Sequence, residues 1–162
     1  MDSKSESTSD GTLSLVVRRT VTATVNRVFA AWTRPEEMAR WWGPRDVRCG
    51  SVAIDLRVDG RYEIVNILPD SSTVVIHGRF LKIEAPHLLV YSWSVGAPLV
   101  PDLAHPTEQV TVRFLAVGDT QTEIVVVHER IATQPTVDSH TYGWLGCLDG
   151  LDAHLAQDTL TG

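Results

Sequence analysis

Hydrophobic and polar residues alternate along most of this chain, and a helical period replaces the alternation after the first strand and again at the end. Alternating segments rich in β-branched residues predict strands. The predicted strands cover residues 13–22, 47–56, 61–67, 74–83, 88–95, 110–117 and 123–129. Asp59-Gly60 and Gly118-Asp119 are typical of the turns that join neighbouring antiparallel strands. The region between strands five and six, 96–107, contains three prolines and predicts a long loop.

Helical periodicity predicts two short helices after the first strand and one long helix at the end. Thr24 is an N-cap type of residue for a helix that ends at Trp32. Pro35 begins a second short helix, which a Gly-Pro pair ends after Trp42. A long helix over 136–156 presents one apolar stripe. The stripe consists of Val137, His140, Trp144, Leu148, Leu151 and Leu155.

Three glycines, Gly143, Gly146 and Gly150, lie beside the stripe of the predicted long helix. A glycine in a helix interior costs about 1 kcal/mol relative to alanine. A cost of this size, repeated three times, indicates that something compensates for it. Two explanations are open, namely close approach of another backbone and room left for a ligand.

The composition is that of an ordinary globular domain, with 43% hydrophobic and 21% charged residues among 162. We expect a disordered polar tail over 1–11, a single domain over 12–157 and a C-terminal tail over 158–162. A formal net charge of −6 provides no basic face for nucleic acid.

The compartment is expected to be the cytoplasm. No apolar run approaches the roughly 20 residues that cross a bilayer, so we expect no membrane association. The polar N-terminal residues lack the apolar stretch of a signal peptide. The two cysteines, Cys49 and Cys147, lack metal-type spacing, and free thiols are favoured over a disulfide.

The order of elements predicts an α+β fold in which a curved antiparallel sheet of about six to seven strands wraps around the C-terminal helix. This order and a set of short motifs resemble the START-like (SRPBCC) superfamily of helix-grip proteins, within it the group named after the activator of the heat-shock protein 90 ATPase. The matching motifs are Val28-Phe29, Ala31-Trp32, Pro35-Glu36, Trp41-Trp42-Gly43-Pro44, Asp59-Gly60-Arg61-Tyr62, Gly78-Arg79-Phe80, the strand 86–93, Val110-Thr111-Val112 with Phe114, the segment 122–128, and Gly143-Trp144 with Leu148, Leu151 and Leu155.

The resemblance covers about residues 13–156 and implies a cavity between the sheet and the long helix. The sequence departs from the family pattern at the loop 96–107, which is longer and richer in proline than usual. The eukaryotic namesake stimulates its chaperone with the help of a separate domain that this sequence does not contain. Dimers are common among relatives, so both a homodimer and a monomer are compatible with the resemblance.

Strand alternation places several aromatic and polar side chains on the face that meets the helix stripe. The candidate cavity-lining residues are Trp42, Tyr62, Ile64, Asn66, Tyr91, Trp93, Val112, Phe114, Val126, His128, His140, Trp144 and Leu148. This composition is typical of a small-molecule pocket, and it is equally the composition of a filled core with a few satisfied polar groups. One of Trp41 and Trp42 is expected to anchor the short helix and the other to border the cavity.

His140 is the foremost candidate for proton chemistry, with Tyr62 and His128 behind it, while a histidine hydrogen-bonded to backbone is the alternative reading. The remaining histidines are scattered, and we expect no metal site. Cys147 lies two turns, about 10 Å, from His140, which argues against a Cys-His pair. No nucleophile elbow, phosphate loop or dinucleotide fingerprint is present, so no cofactor is expected.

These observations favour a cytoplasmic module that binds a small hydrophobic or aromatic molecule between sheet and helix. One alternative is an enzyme in the same cavity, polyketide cyclase-like or hydrolase-like, in which His140 or Tyr62 handles protons. Another is a module that binds a chaperone or a second copy of itself, through an apolar strip formed by the outward-facing Val125 and Val127.

Overall fold

The computed structural model describes residues 13–43, 46–96 and 108–161. The expected tail over 1–11 and almost all of the proline-rich loop 96–107 lie outside the described residues. Seven strands run through the described part: β1 (Leu13–Val21), β2 (Arg48–Ile54), β3 (Arg61–Ile67), β4 (Thr73–Glu84), β5 (Leu88–Val95), β6 (Glu108–Val117) and β7 (Gln121–Ile131). They form one antiparallel sheet in the order β1-β7-β6-β5-β4-β3-β2. The predicted fold class is confirmed.

Two short helices follow β1, as the periodicity predicts. These are α1 (Val25–Thr33) and α2 (Pro35–Trp41). The hydroxyl of Thr24 accepts a hydrogen bond from the backbone N–H of Arg27 at the start of α1, at 3.3 Å. Trp41 Nε1 donates to the carbonyl of Ala31 at 2.9 Å, so this indole ties α2 to α1.

The C-terminal helix α3 (Gln134–Thr161) begins two residues earlier and ends five residues later than the sequence predicts. Its N-terminus is capped by Thr133, whose hydroxyl accepts from the backbone N–H of Thr136 at 3.3 Å. Near its C-terminus, Arg27 of α1 forms an ion pair with Asp158 at 2.7 Å. The helix includes residues 158–161, which belong to the predicted C-terminal tail.

The core lies between α3 and the concave face of the sheet. Five of the six stripe positions of α3 are buried, and His140 is half-buried. At Gly150 a Cβ atom would lie 2.4 Å from the carbonyl oxygen of Trp41, so this glycine allows two backbones to approach closely. At Gly143 a Cβ would meet nothing within 4 Å. Close approach of another backbone therefore explains Gly150, whereas Gly143 borders open space.

The opposite face of the sheet carries exposed apolar side chains, Val16 and Leu115, in addition to the predicted Val125 and Val127. Val125 is only 6% exposed, and its cross-strand neighbours are Arg18 and Arg113, a residue type whose aliphatic stem covers apolar surface. Val127 is half-buried and pairs with Val16, which is 52% exposed. Among the described residues, no helix is both long and apolar enough to span a bilayer.

Candidate functional site

A pocket of about 320 Å³ opens between α3 and one end of the strands β3, β4 and β5. Its wall is formed by Trp42, Val47, Asn66, Leu68, Val74, Ile76, Trp93, Val95, Ser139, His140, Tyr142, Gly143, Trp144 and Cys147. The volume is at the lower end of the range of small-molecule sites, and such sites are mostly apolar with a few convergent polar groups. This wall has that character, because the polar groups of Asn66, Ser139 and His140 stand among aromatic and aliphatic side chains.

Strand register explains why these side chains converge. Asn66 of β3 pairs with Val74 of β4, and Ile76 of β4 pairs with Val95 of β5. Because alternate residues of a strand share one face, all of these side chains point toward α3. On the helix side, Gly143 leaves the space open because it has no side chain to fill it.

The predicted lining residues divide into three groups. Five of them line this pocket: Trp42, Asn66, Trp93, His140 and Trp144. Tyr62, Ile64 and Tyr91 surround a separate void of about 20 Å³, which Trp42 and Trp93 also border. The remaining five are completely buried and line neither space: Val112, Phe114, Val126, His128 and Leu148.

The two adjacent tryptophans differ in position, as expected. Trp41 packs against α1 and Gly150, whereas Trp42 lines the pocket. Trp42 Nε1 donates to Asn66 Oδ1 at 3.0 Å, which fixes the orientation of the Asn66 amide. The rings of Trp42, Trp93 and Trp144 contact one another at centroid distances of 5.6–6.2 Å. Together they form one aromatic wall.

Sequence reasoning missed the pocket positions at the ends of the strands. Alternation from Asn66 leads to Leu68, and alternation from Trp93 leads to Val95, so the signal was present. The pocket lies toward these strand ends because the other end of the concave face is filled by completely buried residues such as Phe114 and Leu148. Which end stays open depends on tertiary packing, and periodicity carries no information about it.

Glu108, the first residue of β6, is an ionisable residue near the pocket that the sequence did not reveal. Its Oε1 is 2.7 Å from Nε2 of His128 and 2.9 Å from Nε2 of His140. The two imidazole rings stack on each other with centroids 4.5 Å apart and an interplanar angle of 18°. The carboxylate therefore receives a hydrogen bond from each histidine.

The hydrogen-bond partners of His128 determine which of its ring nitrogens carries the proton. Trp144 Nε1–H donates to Nδ1 of His128 at 3.0 Å. Nδ1 of His128 must therefore be an acceptor, so a neutral His128 carries its proton on Nε2 and donates it to Glu108. Both ring nitrogens of His128 are thus engaged, and this side chain is completely buried.

The pKa shifts of His128 and Glu108 agree with this assignment of protons. Burial lowers the pKa of His128 below its usual value and outweighs the opposing effect of Glu108. For Glu108, burial opposes ionisation, but hydrogen bonds from the two imidazoles prevail and lower its pKa to about 2. Glu108 is therefore a carboxylate at neutral pH, and His128 is held neutral beside it.

Glu108, His128 and His140 are also residue types that bind metals, and their ligand atoms lie within 4.8 Å of one another. Sequence spacing does not reveal this cluster, because its three members lie on β6, β7 and α3. A metal on Nε2 of a neutral His128 would require a proton on Nδ1. That proton would face the indole N–H of Trp144, a second donor. While Trp144 donates to its Nδ1, His128 carries its proton on Nε2 and offers no free nitrogen to a metal.

Two other candidate residues, Tyr62 and Cys147, are buried and already hydrogen-bonded. Tyr62 donates its hydroxyl to the carbonyl of Ser92 at 2.7 Å, and burial raises its pKa well above the usual value. Burial also raises the pKa of Cys147 to about 12, although the Gly43 N–H donates to its sulfur at 3.4 Å. Neither residue is a ready base or nucleophile. His140 is the group with proton chemistry on the pocket wall.

Comparison with known proteins agrees with this architecture. A sequence profile of the family described as Activator of Hsp90 ATPase homolog 1-like protein matches residues 22–156. No curated protein matches the sequence of this chain.

Similar solved structures come from several bacteria. A Chromobacterium violaceum protein has 20% sequence identity and a TM-score of 0.75, with 86% of this chain and 95% of that chain covered. A Nitrosomonas europaea protein has 20% identity and a TM-score of 0.75, with 91% and 97% covered. The AHSA1 protein of Silicibacter pomeroyi has 18% identity and a TM-score of 0.73, with 90% and 99% covered. At these identities the likeness is one of fold.

Proposed function

We propose that this chain, which belongs to the family of Activator of Hsp90 ATPase homolog 1-like proteins, binds a small apolar or aromatic molecule between β3–β5 and α3. The observation that carries this proposal is the pocket of about 320 Å³ walled by Trp42, Trp93 and Trp144. Burial of an aromatic ring against such a wall is favourable because it removes apolar surface from water and allows ring stacking.

Selectivity for an uncharged, largely apolar molecule follows from the wall. Among the described residues that line the pocket, none is Asp, Glu, Lys or Arg. An ion would lose its hydration there with no fixed partner of opposite charge in contact. Two-ring aromatics such as naphthalenes are of a size that this volume accepts, and they serve as test ligands.

Calorimetric titration with 2-methylnaphthalene tests the proposal. We expect one binding site in the wild-type protein. Gly143→Leu, which places a side chain into the open space beside Trp144, should weaken binding at least tenfold. Gly143→Ala is the matched control, since it adds one methyl group to the same position and should change the affinity by less than about threefold. Absence of binding to the wild-type protein, or equal binding by the Leu variant, would refute the proposal.

A second candidate function, an enzyme that uses the same pocket, is favoured by one observation. His140 lies on the pocket wall with the Glu108 carboxylate 2.9 Å behind its Nε2. A carboxylate that orients an imidazole is a common arrangement for a general base. In a hydrolase-like reaction, Nδ1 would take a proton from water as the water oxygen attacks an ester carbonyl, and would return it to the alcohol oxygen as the acyl C–O bond breaks. Release of 2-naphthol from 2-naphthyl acetate, lost in His140→Phe, would support this function, and equal release by both proteins would exclude it.

A further inference from the structure

We propose that His140 is the hydrogen-bond acceptor for the ligand, and that the pocket takes a neutral aromatic molecule whose hydroxyl or N–H group donates to Nδ1 of His140. This inference rests on the proposed function, because it names the class of molecule that the pocket binds. It depends on how the protons of the Glu108–His128–His140 cluster are distributed.

The first step concerns which histidine is free. Both ring nitrogens of His128 are engaged, by Glu108 and by Trp144. His140 has only Nε2 engaged, and its Nδ1 makes no hydrogen bond to any residue in the described part of the chain. Of the two imidazoles, only His140 lines the pocket. His140 is therefore the one that has a nitrogen to offer.

The second step concerns the character of that nitrogen. Nε2 of His140 lies 2.9 Å from the Glu108 carboxylate, which accepts hydrogen bonds and has no proton to donate. Nε2 therefore carries the proton, and Nδ1 of a neutral His140 is an acceptor. His140 is half-buried and lines the pocket, so a molecule bound there can reach this acceptor.

The third step concerns charge. Glu108 places a negative charge behind His140, and the described part of the pocket wall supplies no Lys or Arg to offset it. A carboxylate ligand would meet an acceptor nitrogen backed by an anion, which is repulsive. A neutral donor such as a phenol hydroxyl meets a polarised acceptor, and its hydrogen bond is strengthened by the carboxylate behind the ring.

Three probes with the same ring system test the inference: 2-naphthol, 2-methylnaphthalene and 2-naphthoate, titrated calorimetrically at about pH 8. A hydrogen bond of ordinary net strength predicts that 2-naphthol binds about fivefold to tenfold more tightly than 2-methylnaphthalene. The carboxylate should bind most weakly. His140→Phe should remove the preference for the hydroxyl, and His140→Gln, which keeps an acceptor oxygen, should restore part of it.

The carboxylate is tested separately. Glu108→Gln should reduce the hydroxyl preference to about twofold or less and improve the binding of 2-naphthoate. Glu129→Gln is the matched control, because it removes the same charge from the neighbouring strand β7, where Glu129 accepts a hydrogen bond from Gln109. This control should change the three affinities by less than Glu108→Gln does, because Glu129 acts on His128 through its charge and accepts no hydrogen bond from it.

The outcomes separate the two proposals. If none of the probes binds, the proposed function fails and the inference fails with it. If 2-methylnaphthalene binds as tightly as 2-naphthol, or if His140→Phe keeps the preference, the pocket stands and the role of His140 is refuted. Stoichiometric Zn²⁺ binding that requires His128 and His140 and excludes 2-naphthol would also overturn the inference, since the cluster would then bind a metal in place of protons.

Discussion

Trp144 donates its indole N–H to Nδ1 of His128 across 3.0 Å, and both side chains are buried. This hydrogen bond links α3 to β7 and determines which nitrogen of His128 faces Glu108. Trp93 is a useful contrast, because its indole is also buried but its Nε1 has no partner among the described residues.

The pair of variants Trp144→Phe and Trp93→Phe isolates the contribution of this hydrogen bond to stability. Both remove the same atoms from the core, but only Trp144→Phe leaves a buried acceptor unsatisfied. We expect Trp144→Phe to lower the free energy of unfolding by about 1–3 kcal/mol more than Trp93→Phe. Urea denaturation measures the difference, and equal losses would show that the Trp144–His128 bond contributes nothing.

The helix glycines provide a second matched pair. Gly150→Ala places a methyl group 2.4 Å from the carbonyl oxygen of Trp41, so α2 and α3 must separate and stability must fall. Gly143→Ala meets open space and gains helix propensity, which predicts a stabilisation of about 0.5–1 kcal/mol. Thermal unfolding should move the two melting temperatures in opposite directions. A shift in the same direction for both would contradict the described packing of α2 on Gly150.

Stability should depend on pH through Glu108 and His128. The ordinary pKa values are 4.5 for Glu108 and 6.5 for His128. In the folded protein both pKa values are lower, and that of Glu108 is about 2. As the pH decreases, the unfolded chain therefore binds more protons than the folded protein does. His128 loses its contribution below pH 6.5, and Glu108 loses its own between pH 4.5 and about 2.

Urea unfolding of the wild type and of Glu108→Gln across this range checks the prediction. The stability advantage of the wild type over the variant should shrink as the pH falls from 4.5 toward 2, because glutamine does not titrate. Glu129→Gln again serves as the charge-matched control. A constant difference between wild type and Glu108→Gln would mean that the imidazoles do not stabilise the carboxylate.

The two thiols should differ in reactivity in the native protein. Cys147 is buried with a pKa raised to about 12, whereas Cys49 is half-buried with a pKa raised less far by the same cause. The thiolate is the reactive form, so an aromatic disulfide reagent should modify Cys49 first. In Cys49→Ser, release of the coloured thiol should await unfolding in urea. Rapid modification of that variant in buffer would show that Cys147 is open to solvent.

The sequence predicted the framework of this fold well, because strand alternation and the α3 stripe are local patterns. The strands Arg61–Ile67 and Leu88–Val95 were predicted to the residue. Thr24 caps α1 as its residue type indicates. The start of α3 was misplaced because Thr133 caps the helix two residues before Pro135.

The site was harder to predict because it depends on contacts between distant segments. Alternation from Phe114 through Val112 and Val110 leads directly to Glu108, so its inward position was available from the sequence. The prolines that precede Glu108 predict a loop, and they obscure this extension of β6 toward its N-terminus. That His128 and His140 meet on this carboxylate depends on how α3 crosses the sheet, which no local pattern records.

The most direct test of the central claim is a titration of ¹⁵N-labelled protein with 2-naphthol, followed through the five indole N–H signals in two-dimensional NMR. Trp42, Trp93 and Trp144 line the pocket, whereas Trp32 and Trp41 do not. The account predicts that saturable shifts are largest for the first three and that His140→Phe weakens the binding that produces them. Shifts confined to Trp32 and Trp41, or no saturable shift, would contradict it.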